Sequence, residues 1–202
     1  MTKSRIQISL SYDLRALVEE LEGLWCLSSP SFGVPTLHDF VRGLIFSERM
    51  LQVIDKNLNR YNADWGQIVD ERTGNYLSKE CDIIIYRGNP IREWGKKAMK
   101  FVVVESSAAK LVIQCSTSVT TVSKEHKDYP KDLKKFVPKI WYLAECYWGS
   151  KRQSNVIRRE LKKAGYDNFF CLYRKYERQG EMHKELNYDR WNEFIKSIRN
   201  LK

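Results

Sequence analysis

The amino-acid sequence predicts an α/β domain of three layers, in which a mixed central sheet is flanked by helices. Two observations carry this. The apolar spacing changes along the chain, giving a helix, then sheet, then alternating helix and strand. In addition, Asp82-Ile-Ile-Ile-Tyr86 is too continuously apolar for a strand with one solvated face, so it belongs in the middle of a sheet. The length of 202 residues suits one domain with a substantial core, and 43% hydrophobic residues exclude a disordered chain.

The elements follow in order. Ile6, Ile8 and Leu10 alternate with polar residues and predict an extended lead-in. From Tyr12 the spacing turns helical, with Leu14, Leu17, Val18 and Leu21 on one face and Gly23 as the stop. Residues 28–35 are rich in serine, proline and glycine and predict a loop. Thr36 and Asp39 form a helix start, after which Phe40, Val41, Leu44, Ile45, Leu51, Ile54 and Leu58 mark a long amphipathic helix containing Glu48. Strands are predicted at 65–70, 82–86, 101–104 and 110–116, with turns around Gly74 and at Arg87–Pro90. Residues 123–135 predict a lysine-rich surface helix interrupted by Pro130, and 140–147 a buried strand. A basic helix over 154–164 ends at Gly165, a final strand covers 169–173, and Trp191, Phe194, Ile195 and Ile198 line one face of a last helix over 188–201. No repeat or linker divides the chain, so residues 1–202 read as one domain with its core at roughly 36–175.

The net charge of +10 raises the local anion concentration and points to nucleic acid, with DNA the expected partner. The positive charge is clustered. Lys96, Lys97 and Lys100 form one group, and Lys124, Lys127, Lys131, Lys134 and Lys135 a second. A third comprises Lys151, Arg152, Arg158, Arg159, Lys162 and Lys163. The second group, with Arg158 and Arg159, is the predicted nucleic-acid surface. The five cysteines are not at metal-ligand spacing and read as reduced core residues. No apolar run approaches the ~18 residues of a membrane span and no signal peptide opens the chain, so a cytoplasmic protein is expected.

The chemistry is concentrated in two strands. A Mg²⁺-dependent nuclease needs carboxylates that converge on the ion and a positive group beside the attacked phosphate. An Asp on one strand facing an E-x-K on its neighbour meets that need, because the i, i+2 spacing puts Glu and Lys on one face. Ser78-Lys-Glu-Cys-Asp82-Ile-Ile-Ile-Tyr86 looks like the first strand, and Phe101-Val-Val-Val-Glu-Ser-Ser-Ala-Ala-Lys-Leu-Val-Ile-Gln114-Cys-Ser116-Thr117 like the loop and second strand. His38-Asp-Phe-Val-Arg-Gly43 and Glu48 resemble the leading helix. Over residues 36–120 the sequence resembles a branch of the PD-(D/E)xK restriction-endonuclease-like superfamily found among prokaryotic restriction and phage-defence genes. That branch reads S-x-x-x-D-I-I-I-Y, then V-V-V-P-P-E-S-V-x-A-V-I-E-V-K-T. The resemblance implies a three-layer restriction-endonuclease-like domain, with Asp82, Glu48, Gln114 and Ser116 at the catalytic positions and Asp82 and Glu48 as the metal ligands.

The departures from that pattern are chemical. Gln114 stands where the branch has Glu, Ser116 where it has Lys, and Ser107 where it has a further Glu. Glutamine offers a neutral oxygen but no charge to hold Mg²⁺, and serine cannot act as an ammonium group. Lys110 shares the face of Gln114 but is about 13 Å away along an ideal strand. The expected protein is therefore a DNA-binding, nuclease-fold pseudo-enzyme of a prokaryotic restriction, phage-defence or mobile-element system, with Mg²⁺ as cofactor only if it cleaves. Two alternatives stay open. One is an active endonuclease with a rearranged site of Asp82, Glu48 and either Asp70 or Glu71. The other is an interaction subunit that docks on a catalytic protein partner or on copies of itself.

Overall fold

The computed structural model describes residues 14–23, 39–95 and 100–201. The expected lead-in at Ile6–Leu10, the loop at 28–35, Thr36, Lys96, Lys97 and Cys26 lie outside the described residues.

Two helices open the described chain: α1 (14–23) and α2 (Asp39–Asp55). Leu14, Leu17, Val18 and Leu21 of α1 are buried at the predicted helical spacing. In α2, Phe46, Met50 and Ile54 are fully buried. Eight strands follow: β1 (Asn62–Val69), β2 (Cys81–Tyr86), β3 (Arg92–Trp94), β4 (Phe101–Glu105), β5 (Ala109–Val119), β6 (Ile140–Trp148), β7 (Asn168–Arg178) and β8 (Glu181–Leu186). The helix α3 (Lys124–Leu133) connects β5 to β6, α4 (Lys151–Ala164) connects β6 to β7, and α5 (Tyr188–Arg199) follows β8.

The strands form one mixed sheet in the order β3-β4-β1-β2-β5-β6-β7-β8. β5, β6 and β7 run parallel to one another, as do β1 and β4, and the other neighbours are antiparallel. Parallel neighbours require crossovers, which α3 and α4 supply for β5, β6 and β7. One apolar core joins α1, α2 and α5 to one face of the sheet through Ile83, Ile85, Leu111 and Ile113. A second joins α3 and α4 to the other face through Ile84, Val112, Ile140, Tyr142, Leu133, Ile157 and Leu161. Both faces of the central strands are thus covered, which explains the unbroken apolar run of β2.

Two irregularities position the site. β2 spends three residues where β1 spends two, between the pairs Asp64↔Ile84 and Gly66↔Cys81, so Asp82 lies in a β-bulge. Beside it, β1 and β4 approach so closely that a Cβ on Gly66 would come within 2.0 Å of the Val102 carbonyl oxygen.

Several predicted elements are corrected. α3 continues through Pro130. The Pro130 ring is buried, the Lys134 N–H donates to its carbonyl at 2.9 Å, and this packing offsets the one backbone bond that proline cannot make. α4 starts at Lys151 and not at Ser154, because Ser150 caps it through the Gln153 N–H while the Gln153 side chain returns to the Ser150 N–H. It ends at Gly165 with φ 116°, as the glycine predicted. The strand predicted to end at Tyr173 continues to Arg178 and turns through Gln179 (φ 55°) and Gly180 (φ 79°) into β8. β8 and the fully exposed β3 carry too little apolar alternation to be seen in the sequence. Cys81, Cys115, Cys146 and Cys171 are free thiols.

Candidate functional site

Asp82 of β2 and Gln114 of β5 lie on adjacent strands, with Ser116 two residues further along β5. The pairing of Ile83 with Ile113 carries Asp82 to the level of Gln114 on the adjacent strand. The Asp82 carboxylate accepts the Cys115 backbone N–H at 2.8 Å. Burial pushes its pKa up to about 6; the Cys115 N–H pulls the other way, and the Glu80 charge adds to the rise. Asp82 is therefore a half-buried carboxyl that keeps its proton to a higher pH than an ordinary aspartate.

Gln114 and Ser116 lie on the α3–α4 face, where aromatic side chains surround them. Tyr166, the residue after the Gly165 cap of α4, donates its hydroxyl to the Gln114 side-chain oxygen. Ser116 donates to the Ser118 carbonyl at 2.7 Å. The Tyr142 ring meets that of Tyr166 edge-on, with centroids 5.5 Å apart, and that of His126 at 5.1 Å. The Tyr142 hydroxyl and His126 Nε2 are 3.2 Å apart. Burial lowers the His126 pKa, so this imidazole is neutral near pH 7. Tyr129 of α3 closes the group, and burial together with the neighbouring Cys81 holds its phenol protonated.

The other predicted site residues are placed elsewhere. Glu48 accepts a hydrogen bond from Gln52 at 3.0 Å on α2. The helix α2 packs on the face of the sheet opposite Gln114. The expected convergence of Glu48 on Asp82 is thus corrected: Ser47, Phe46 and Met50 are the buried residues of that turn, which leaves Glu48 beside its own helix. Asp70 caps the Arg72 N–H at 2.8 Å, and Glu71 accepts from Ser107 at 2.5 Å, so both are engaged in loops. Lys110 donates to the Ser107 carbonyl at 3.3 Å, away from Gln114.

The donor set does not fit Mg²⁺. One carboxylate, already holding a backbone N–H, faces a neutral amide held by a phenol. No group of three among His, Cys, Asp and Glu is arranged to hold a metal ion among the described residues. Mg²⁺ demands several hard oxygen ligands and charge balance, and this cluster supplies one carboxylate.

No protein-family model matches this sequence, and no curated protein matches it. Solved structures do. NucC of E. coli MS115-1 in its cAAA-bound form matches with a TM-score of 0.61 at 11% identity, over 100% of this chain and 91% of that one. NucC of P. aeruginosa ATCC27853, also cAAA-bound, matches at 0.60 and 11% identity, over 100% and 92%. The apo form of the E. coli MS115-1 protein matches at 0.54 and 10% identity, over 95% and 92%. The fold is restriction-endonuclease-like. At these identities the likeness extends to the arrangement of sheet and helices, and the chemistry rests on this chain's own residues.

The predicted basic surface divides in two. On α3 and the turn that follows it, four of the five lysines face carboxylates: Lys127 and Glu160 at 3.9 Å, Lys131 and Asp128 at 2.7 Å, Lys134 and Asp167 at 2.5 Å, and Lys135 and Asp132 at 3.8 Å. On α4, Arg152, Val156, Arg159 and Lys163 repeat at helical spacing along an exposed stripe, with Arg158 and Lys162 beside it. Among the described residues none of these five cations forms an ion pair. Lys100, from the first group, pairs with Glu93 at 2.5 Å. Sequence reasoning missed Tyr142, Tyr166 and His126. The signal available was Tyr166 itself, an aromatic placed directly after a glycine helix cap.

Proposed function

We propose that this chain is a nuclease-fold protein of a prokaryotic restriction, phage-defence or mobile-element system that binds DNA without cutting it at its central strand pair. The observation that carries the proposal is the bond from Tyr166 to Gln114. At the position where a working site needs a charged ligand, this protein has a neutral amide held by a buried phenol. Asp82 alone keeps the expected residue type, and its carboxylate accepts the Cys115 backbone N–H.

DNA would lie along the exposed stripe of α4. A helix of 14 residues spans roughly 21 Å, enough to track several phosphates. Lysines that already face carboxylates gain less from a phosphate than unpaired arginines do, which favours α4 over α3. The NucC structures hold cAAA in a protein of this fold, so a nucleic-acid ligand is compatible with the architecture. The deciding experiment incubates the natural protein with Mg²⁺ or Mn²⁺ and plasmid, linear or single-stranded DNA, and measures binding across a salt series. Salt-sensitive binding without cleavage supports the proposal. Metal-dependent cutting abolished by Asp82→Ala would overturn it in favour of a rearranged enzyme. Absence of binding at low salt would favour a protein-docking subunit.

A further inference from the structure

Trp65, Phe101 and Trp94 form one row across three adjacent strands. Trp65 of β1 is paired with Phe101 of β4, and Phe101 with Trp94 of β3. Residues directly opposite one another on neighbouring strands point to the same face, so the three rings stand together on one side of the sheet. They touch. Phe101 meets Trp65 edge-on, with centroids 5.1 Å apart, and lies 5.9 Å from Trp94 at a tilt of 48°.

The row continues the sheet beyond its core. Ala63 of β1 packs against the core that α1, α2 and α5 build, and Trp65 is the next residue on that face and no longer belongs to it. Trp65 and Phe101 are half-buried, and Trp94, on the edge strand, is 51% exposed. The Trp65 Nε1–H donates to Glu80 at 2.8 Å, which fixes that indole at the inner end. A singly exposed apolar residue needs no explanation, but an exposed indole held in register with two further rings is a built surface.

The charge around the row identifies what it suits. Residues 87–100 hold five cations and one carboxylate. The carboxylate, Glu93, alternates to the opposite face of β3 from Trp94 and pairs with Lys100 at 2.5 Å. Arg92, two residues before Trp94, shares the face of the rings and is exposed. The centre of a protein–protein interface is depleted of charge, so this density of cations disfavours a protein partner. A nucleic-acid strand has both parts of the match, phosphates for the cations and bases for the rings. Duplex bases are stacked on one another and cannot reach a ring lying on a sheet, whereas the bases of a single strand can. None of the three rings needs a sugar hydroxyl, so a DNA strand suffices.

We infer that the row of Trp65, Phe101 and Trp94 is a stacking platform for single-stranded DNA, with Arg92 taking a phosphate of the bound strand. The platform is at the β3 end of the sheet and on the face opposite α4, so it does not depend on whether the exposed stripe of α4 binds duplex DNA.

The test titrates the full chain with a single-stranded oligothymidylate of about ten nucleotides, and separately with the duplex that it forms with its complement. The readouts are intrinsic tryptophan fluorescence and the anisotropy of a labelled strand. The single strand should quench the fluorescence and the duplex should not. Trp94→Leu should remove most of the quench and weaken single-strand binding about tenfold, while Trp94→Phe, which keeps a ring, should retain most of the affinity. Arg92→Ala should lower the slope of log affinity against log salt by about 0.7, and Trp94→Leu should leave that slope unchanged. The Trp94 ring is half in solvent, so the thermal melts of both its variants should stay close to that of the natural protein. Alanine at Arg152, Arg159 and Lys163 of α4 should leave the quench in place. No quench by the single strand, a quench that survives Trp94→Leu, or an equal quench by the duplex would overturn the inference. So would a Trp94→Leu protein that binds the strand normally but loses self-association, which would make the row a contact between copies of the chain.

Discussion

The hydroxyl of Tyr166 is hydrogen-bonded to the side-chain oxygen of Gln114, which ties the end of α4 to β5 beside Asp82. The amide oxygen accepts a hydrogen bond from the phenol, and desolvation keeps that phenol protonated. A glutamate at 114 would place a negative charge in the same aromatic surroundings without a cation to balance it.

The natural protein should therefore show no Asp82-dependent cleavage with Mg²⁺ or Mn²⁺. The pair Gln114→Glu and Ser116→Lys should bring back measurable cutting only when Tyr166→Phe is added, because the phenol otherwise holds the new carboxylate away from a metal. The readout is plasmid nicking by the double and triple variants side by side. Equal activity of the two would show that Tyr166 does not restrain the site.

Tyr166→Phe by itself should cost about 1 kcal/mol of stability, the ordinary value of one hydrogen bond, since the ring packing against Tyr142 is kept. The urea midpoint measures this. A loss of several kcal/mol would mean that the bond organises more of the fold than this one strand.

Asp82 gives the stability a defined pH dependence. Its folded pKa lies above the ordinary 3.8, at about 6, so the folded state binds this proton more tightly than the unfolded chain. The resulting stability is fully present below about pH 4 and is lost as the pH rises through about 6. Asp82→Asn, which can still accept the Cys115 N–H, should match the natural protein at about pH 4. At about pH 8 it should be more stable, by up to about 3 kcal/mol. The difference between the two proteins is the quantity to follow, because Glu185, whose pKa Arg174 lowers, shifts both curves in the opposite sense. A variant that is less stable at about pH 8 would reverse the assignment.

Removing the exposed charges of α4 should change how binding responds to salt. Substituting Arg152, Arg159 and Lys163 by alanine should flatten the slope of log affinity against log salt by about 0.9 for each phosphate that is no longer neutralised. The same treatment of Lys131, Lys134 and Lys135 should change it less, since each already faces a carboxylate. Binding isotherms at four or five salt concentrations decide between the two helices.

Gly66→Ala should be strongly destabilising, by at least about 2–3 kcal/mol, because the added methyl would strike the Val102 backbone and not a movable side chain. Thermal melting checks it. A shift of less than about 1 kcal/mol would show that β1 and β4 can separate at little cost beside the bulge that holds Asp82.

The sequence by itself determined the layers of this protein and the strand pair at its centre. Residues such as Leu14, Leu17, Val18 and Leu21, or Ile83 to Ile85, bury themselves according to their own spacing, and spacing is a local property. Asp82, Gln114 and Ser116 could be read together because two adjacent strands with an i, i+2 pattern leave little freedom in how they face. Only the tertiary structure decided what surrounds them. Tyr166 lies 52 residues from Gln114, Glu48 is carried to the other face of the sheet by the packing of Phe46 and Met50, and the lysines of α3 meet carboxylates as distant as Asp167. The row of Trp65, Phe101 and Trp94 exists because β4 inserts between β1 and β3 in the sheet. Arrangements of this kind depend on where helices settle on a sheet. That is set by the sum of many small packing energies, and no single stretch of sequence encodes it.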